Sequence, residues 1–245
     1  MSDSIINEYG ISGESIESFA KRNNFPAAPK YPQTLKTGNE VNWSGRIPFL
    51  PIDWETEQDW ESMYQEAKKL SKHYVLHRNH ESHCGWESLV IHGLSSVHTE
   101  SCHTYGYTDA DAPWRWTDIA DHCPTITSFF KNHFDYNKYF RIRIMKLRPG
   151  GYIIPHKDSL TIKENHIGPI NLALNHPEDC KFYMDGIGYL PWQKGRAIKL
   201  NLYNVHAVYN ESNEDRYHMI IHGDAGNSWP DRIYNNYNNW KNTYA

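Results

Sequence analysis

The chain has 245 residues, enough for one domain with a sizeable core, and a formal net charge of −4. Its Lys and Arg residues are scattered, which argues against a nucleic-acid surface. No apolar run reaches the length of a membrane span, and the first residues lack the basic start and apolar core of a secretory signal.

The four cysteines (Cys84, Cys102, Cys123, Cys180) form no CxxC pair, so free thiols in a cytoplasmic protein are expected. The 15 histidines, 9 tryptophans and 17 tyrosines suit the walls of an enclosed pocket as well as a β-rich core.

Residues 1 to 45 are polar, weakly periodic and punctuated by Pro26, Pro29 and Pro32, which predicts a surface arm ahead of a single domain over residues 46 to 245. A helix fits Glu55 to Leu70, with Trp60, Met63, Tyr64, Ala67 and Leu70 on one stripe and Asp53 or Thr56 as cap. Gly85 to Leu94 reads as a strand, and residues 95 to 115 as a polar loop. A second helix fits Pro124 to Phe134, with proline in its first turn.

From Tyr139 the period changes to two. Phe140 to Leu147 alternates, Pro149-Gly150-Gly151 reads as a turn, and Tyr152 to Asp158 as another strand. Further short strands fit Ile167 to Leu174, Lys181 to Met184, Ala197 to Leu202, His206 to Tyr209 and Tyr217 to His222. The whole predicts a mainly β domain with flanking helices, built as an antiparallel sandwich or barrel. The Asn- and Tyr-rich tail carries no motif.

His156-Lys157-Asp158 offers an imidazole and a carboxylate on one face of a strand, because residues i and i+2 project together. His206, fifty residues on, completes a 2-His-1-carboxylate set of the kind that holds Fe(II) and leaves positions open for a co-substrate and oxygen. The triplet alone is weak. His133-Phe134-Asp135 and His222-Gly223-Asp224 also match it, and His176-Pro177-Glu178 is a His-x-Glu variant. The first ends a helical pattern, the second has no later histidine, and the third lies in a turn. Arg216, ten residues after His206, is a candidate fork for the far carboxylate of a dicarboxylate co-substrate, with His218 facing the same way. An ion pair with Glu211, Glu214 or Asp215 is the plainer use of such an arginine.

Residues Arg141 to Asp224 resemble the aspartyl/asparaginyl β-hydroxylase superfamily of Fe(II)/2-oxoglutarate oxygenases. The resemblance rests on the run 143 to 150 (Arg-Ile-Met-Lys-Leu-Arg-Pro-Gly), Pro155-His156-Lys157-Asp158, Gly195-Arg196 before an apolar strand, and His206 to Asn210 followed by Arg216-Tyr217-His218. It implies a double-stranded β-helix (a jelly roll, cupin-like) and C–H hydroxylation with conversion of 2-oxoglutarate and molecular oxygen to succinate and carbon dioxide. It implies His156, Asp158 and His206 as metal ligands, Arg216 and His218 at the co-substrate, and Asn171 as a further polar contact there. Peptidyl Asp/Asn hydroxylases of the vertebrate type lack the carboxylate ligand, so Asp158 sets this chain closer to members that act on free proline.

The expected substrate is a small molecule or a peptidyl residue. Its contacts are sought in the 95 to 115 loop and nearby, at His98, His103, Tyr105, Tyr107, Arg115, Trp114 and Trp116, with Arg141 or Arg143 for a substrate carboxylate. Three rival readings exist: a cupin-like metal-binding module without oxygenase activity, a zinc site from His83, Cys84, Cys102 and His103, and an interaction domain using the aromatic tail.

Overall fold

The Pro149-Gly150-Gly151 stretch does not separate two strands. In the computed structural model, which describes residues 5–6, 12–13, 49–54, 57–77, 83–158, 169–185, 188–202 and 204–244, Tyr136–His156 form one strand of 21 residues, β7. Gly150 takes φ +70° and lets the strand bend without stopping.

The arm expected over residues 1 to 45 lies outside the described residues, apart from a short pairing of β1 (Ile5–Ile6) with β2 (Ser12–Gly13). The other strands are β3 (Phe49–Ile52), β4 (Val75–Leu76), β5 (His83–Gly93), β6 (Arg115–Trp116), β8 (Ile170–Ala173), β9 (Cys180–Met184), β10 (Gly188–Tyr189), β11 (Ala197–Leu200), β12 (His206–Asn210) and β13 (Arg216–Ala225).

The bend in β7 organises the molecule. Its first part pairs with β13, from Leu147 opposite Arg216 to Tyr136 opposite Ala225. Its last residues pair with β12, including His156 opposite His206. One strand therefore joins the two halves of a continuous 11-stranded curled sheet, termed the first and the second sheet. The first continues β7-β13-β8-β11-β3, and the second β7-β12-β9-β10. β5 follows the free edge of β7 through the bend, where Gly85 (φ +67°) passes so close that a Cβ would lie 3.2 Å from the Cα of Gly151. All pairings are antiparallel. The curled antiparallel sheet, with its flanking helices, is the jelly-roll double-stranded β-helix that the resemblance implies.

Two cores result from strand alternation. Ile142 and Ile144 of β7, Ile170 and Leu172 of β8, and Met219 and Ile221 of β13 face the helices. Leu147, Ala173, Ile198 and Leu200 face inward, against Phe182, Met184 and Val208 of the second sheet. The helix layer consists of α1 (Trp60–Lys69), α2 (Pro124–His133) and α3 (Trp229–Tyr244).

α1 starts five residues later than Glu55, and its cap is neither Asp53 nor Thr56. Asp59 accepts a hydrogen bond from the Ser62 amide at 2.9 Å, the spacing an N-cap requires. The Asp53 amide instead donates to Asn236 of α3 at 2.8 Å, and Thr56 lies outside the described residues. Met63 and Ala67 are buried, as the stripe predicts. α3 was not expected at all. Its asparagines are poor helix formers, but Trp229, Ile233 and Tyr237 recur every four residues and bury one face against the first core.

α1 and α2 are joined by one carboxylate. Glu66 of α1 accepts from the Thr125 and Ile126 amides at 2.8 and 3.0 Å, which satisfies two of the unpaired donors at the start of α2. Glu66→Ala is expected to lower stability by about 1–2 kcal/mol, read from the denaturant midpoint. No change would mean that water replaces the carboxylate without loss.

Candidate active site

The cross-strand pair His156–His206 puts two imidazoles 4.3 Å apart, centroid to centroid. Asp158, just beyond the end of β7, brings its carboxylate oxygen to 3.5 Å from Nε2 of His156. The ligand atoms of His156, Asp158 and His206 all lie within 4.8 Å of one another. The Asp158 amide is held by the Leu202 carbonyl at 3.0 Å, which anchors it beside the loop that precedes His206. The expected strand to Asp158 ends at His156, and Lys157, just past it, is exposed.

The same backbone fixes the state of both rings. His156 Nδ1 lies 2.8 Å from the Ile154 carbonyl, and His206 Nδ1 lies 3.0 Å from the Asn204 carbonyl. A carbonyl only accepts, so each Nδ1 carries the hydrogen and each Nε2 presents its lone pair. Two imidazole nitrogens and one carboxylate, from the adjoining ends of two paired strands, form the donor set that suits Fe(II) and leaves one side open.

The three side chains open into a cavity of about 410 Å³. Its wall includes Met145, Ile153, Phe182, Leu202, Val208 and Ile220, so much of it is apolar. Arg216 lines the same cavity and is 3 % exposed. Among the described residues no carboxylate pairs with it, and its Nε–H has no partner, so the ion pair with Glu211, Glu214 or Asp215 does not form. Its Nη2 donates to His218 Nδ1 at 2.8 Å. Burial disfavours the charged guanidinium, and among the described residues the Cys180 thiol opposes that shift. A buried cation in this state calls for an anion. Asn171 also faces the cavity, with its buried Oδ1 unpartnered. An amide can turn, so either of its polar atoms can meet a ligand. His218 lies behind Arg216, not in the cavity wall.

A hairpin sets the distance between the histidine pair and this arginine. Asn210, fully buried, donates to the Leu147 carbonyl at 2.9 Å and to the Glu214 carbonyl at 2.8 Å, and accepts from the Ser212 hydroxyl at 2.6 Å. Leu147 is the cross-strand partner of Arg216.

Arg141, Arg143 and His103 line the same cavity. Arg143 is 6 % exposed and donates to the Thr99 carbonyl at 2.6 Å. Burial pulls the Arg141 guanidinium pKa down, and the Asp109 and Glu100 carboxylates, with Cys102 and Tyr105, oppose that shift. Trp116 does not reach the cavity. It packs edge-on to His92 at 5.1 Å, on the helix side of β5. Trp114 packs on Phe140 at 5.6 Å, and His98 stacks on Tyr105 at 4.3 Å. Tyr107 and Arg115 are exposed. No group of potential ligand atoms among the described residues joins His83, Cys84, Cys102 and His103: Cys84 is exposed, and Cys102 instead clusters with His103 and Asp109.

The sequence reading missed His77, His83 and Trp86 as cavity walls and discounted His222, which also lines it. His222 could have been found from β13, where Arg216, Ile220 and His222 share one parity.

The aspartyl/asparaginyl beta-hydroxylase family matches residues 57–224, over two thirds of the chain. The chain belongs to this family. It is therefore a 2-oxoglutarate-dependent iron hydroxylase, whose chemistry uses Fe(II), 2-oxoglutarate and dioxygen. The matched span contains His156, Asp158, His206 and Arg216.

Solved structures with a similar chain path include a prolyl hydroxylase from Trichoplax adhaerens in complex with a hypoxia inducible factor peptide fragment (13 % identity, 86 % of this chain and 94 % of that one, TM-score 0.46). Others are a Pseudomonas putida prolyl-4-hydroxylase (10 % identity, 77 % and 96 %, TM-score 0.43) and HygX from Streptomyces hygroscopicus, with nickel and 2-oxoglutarate bound (10 % identity, 73 % and 83 %, TM-score 0.39). Among curated proteins, none matches the chain in sequence. No helix among the described residues is long and apolar enough to cross a membrane.

Asn210→Ala leaves the Leu147 and Glu214 carbonyls without their donor and is expected to cost about 2–3 kcal/mol of stability. Equilibrium unfolding in urea reads it, and a loss near zero would show that the hairpin holds without the side chain.

Proposed function

We propose that His156, Asp158 and His206 hold Fe(II), and that Arg216 receives the far carboxylate of 2-oxoglutarate, with Asn171 as a polar contact and His218 as support. The reaction is hydroxylation of an unactivated C–H bond in an amino acid, a peptidyl residue or another small polar substrate, with succinate and carbon dioxide as co-products. One observation carries this reading: a buried arginine without a carboxylate partner lines the same cavity as the His/Asp/His cluster. A metal-binding module without a dicarboxylate ligand has no use for that charge.

When bound, iron and 2-oxoglutarate supply the oxidising power that puts one atom of dioxygen into the substrate. The protein's own part is positioning. His156 and His206 point fixed lone pairs at one spot, and Asp158 supplies a negative charge there. Arg216 sets the orientation of the dicarboxylate through a two-pronged contact. Met145, Ile153 and Phe182 keep the space between dry. Arg141, Arg143 and His103 take the substrate's polar groups, and Trp116 leaves the set. Residues 46 to 245 act as one catalytic domain. The free state of all four cysteines, three of them buried, suits a reducing cytoplasmic setting.

Anaerobic addition of Fe(II) and 2-oxoglutarate is expected to give a visible charge-transfer band. His206→Ala should abolish it, and Arg216→Ala should weaken 2-oxoglutarate binding while sparing the metal. A folded protein that shows no band would sink the assignment. Arg143→Leu is expected to raise the substrate KM about ten- to hundredfold while substrate-free turnover of 2-oxoglutarate continues. An equal loss of both would move Arg143 from the substrate to the co-substrate. A screen for a one-oxygen mass gain across amino acids, peptides and sugars identifies the substrate.

A further inference from the structure

His176, in a turn and part of the His-x-Glu pattern, reaches the buried arginine from behind through His218. Its Nδ1 lies 3.0 Å from Nε2 of His218, whose Nδ1 lies 2.8 Å from Nη2 of Arg216. These contacts have only one consistent hydrogen arrangement. A guanidinium donates and never accepts. His218 Nδ1 must therefore be a lone pair and Nε2 must carry the hydrogen. That hydrogen lies between His176 Nδ1 and the backbone of Asn175; two hydrogens cannot meet across 3.0 Å, so His176 Nδ1 is bare and His176 is also the Nε2–H form. Its own hydrogen bond then goes to the backbone of Cys180.

The neighbouring residue holds the backbone on both sides of the same arginine. Asn175 Nδ2 donates to the Asp215 carbonyl at 2.9 Å, and Asn175 Oδ1 accepts from the Tyr217 amide at 2.6 Å. The Leu174 amide donates to the Tyr217 carbonyl at 3.0 Å, so the segment after β8 is fastened to the start of β13. Trp192 closes the pair from one side, with its ring 4.5 Å from that of His218 and 6.1 Å from that of His176.

We propose that Asn175 and His176 are positioning residues for the co-substrate: Asn175 fixes the backbone around Arg216, and His176 fixes the tautomer of His218, so that Nη2 is held back and the remaining donors of Arg216 face the cavity. This rests on Arg216 as the 2-oxoglutarate carboxylate partner. Free guanidinium groups rotate about several bonds, and an arginine tied at one nitrogen presents a fork already aimed. Both rings stay neutral through any working pH. Burial, followed by the charge of Arg216, pushes His176 down to about 3 and His218 well below the ordinary range.

Two measurements test the bracket, one of them independent of turnover. Long-range proton–nitrogen NMR on protein with labelled histidines should show His218 and His176 both protonated at Nε2. Calorimetric titration of 2-oxoglutarate into Mn(II)-loaded protein should give a Kd about tenfold higher in His176→Leu, with Mn(II) affinity unchanged. His176→Asn, whose amide oxygen sits near the position of Nδ1, should restore most of that loss. Asn175→Ala should weaken 2-oxoglutarate in the same way as His176→Leu. A His218 protonated at Nδ1, or unchanged 2-oxoglutarate affinity in His176→Leu, overturns the proposal. If His176→Leu does not fold, the wild-type tautomers and His176→Asn decide, and tenfold weaker binding in His176→Asn overturns it. Arg216→Met separates the two levels. Weakening there but not in His176→Leu removes the bracket alone, and no weakening in Arg216→Met removes the co-substrate reading and the bracket together.

Discussion

The membership of β7 in two sheets is the constraint on which the rest of the structure depends. A strand that ended at Pro149-Gly150-Gly151 would leave β12 and β13 on unrelated edges. Because it continues, the pairing with β13 sets Arg216 opposite Leu147, and the pairing with β12 sets His206 opposite His156. Backbone ladders are rigid and their register is discrete. The relation between the buried cation and the His/Asp/His cluster is thus fixed by main-chain hydrogen bonds, and Asn210 ties the one connection that could vary.

Alternation on β7 has an unusual result. In an ordinary half-buried strand the polar face meets water. Here Ile142 and Ile144 meet the helices, and Arg141 and Arg143 face the inside of the β-helix. A cavity walled by arginines and histidines is stable only if each polar group has a partner or awaits one. Arg143 has the Thr99 carbonyl, and Arg141 lies beside the acids of the 100 to 109 loop. Arg216 has a neutral histidine as its hydrogen-bond partner and, among the described residues, no carboxylate paired with it.

The helix layer leaves that cavity open by covering the opposite face. α1, α2 and α3 bury their aromatic and aliphatic stripes on the outer side of the first sheet, where Trp54, Phe129 and Phe134 pack edge to face. Helix packing and site chemistry thus use opposite faces of the same strands. This separation lets the first sheet carry charged groups inside without weakening the principal core.

The sequence by itself determined the local chemistry. The His-x-Asp spacing keeps two donors close along the chain, although β7 ends at His156 and Asp158 is held beyond it by the Leu202 carbonyl; the Trp60-Met63-Tyr64-Ala67 stripe buries one side of a helix, because it depends only on the period of regular backbone. It determined the residue pattern that relates the chain to its family, from Arg143 to His218. It did not determine which face of β7 would be enclosed, since a period of two defines two faces and leaves their environments open. The same ambiguity on the neighbouring strands left open that His222 of β13 lines the cavity while Trp116 of β6 packs on the helix side. It did not disclose α3, where weak asparagine propensities are overridden by burial of Trp229 and Tyr237, nor that Asp59 and not Asp53 caps α1. His176 was invisible because it reaches His218 across 42 residues of chain. Only the closing of the sheets brings such pairs within hydrogen-bond range, and that closure is a property of the whole set of strands, absent from any one of them.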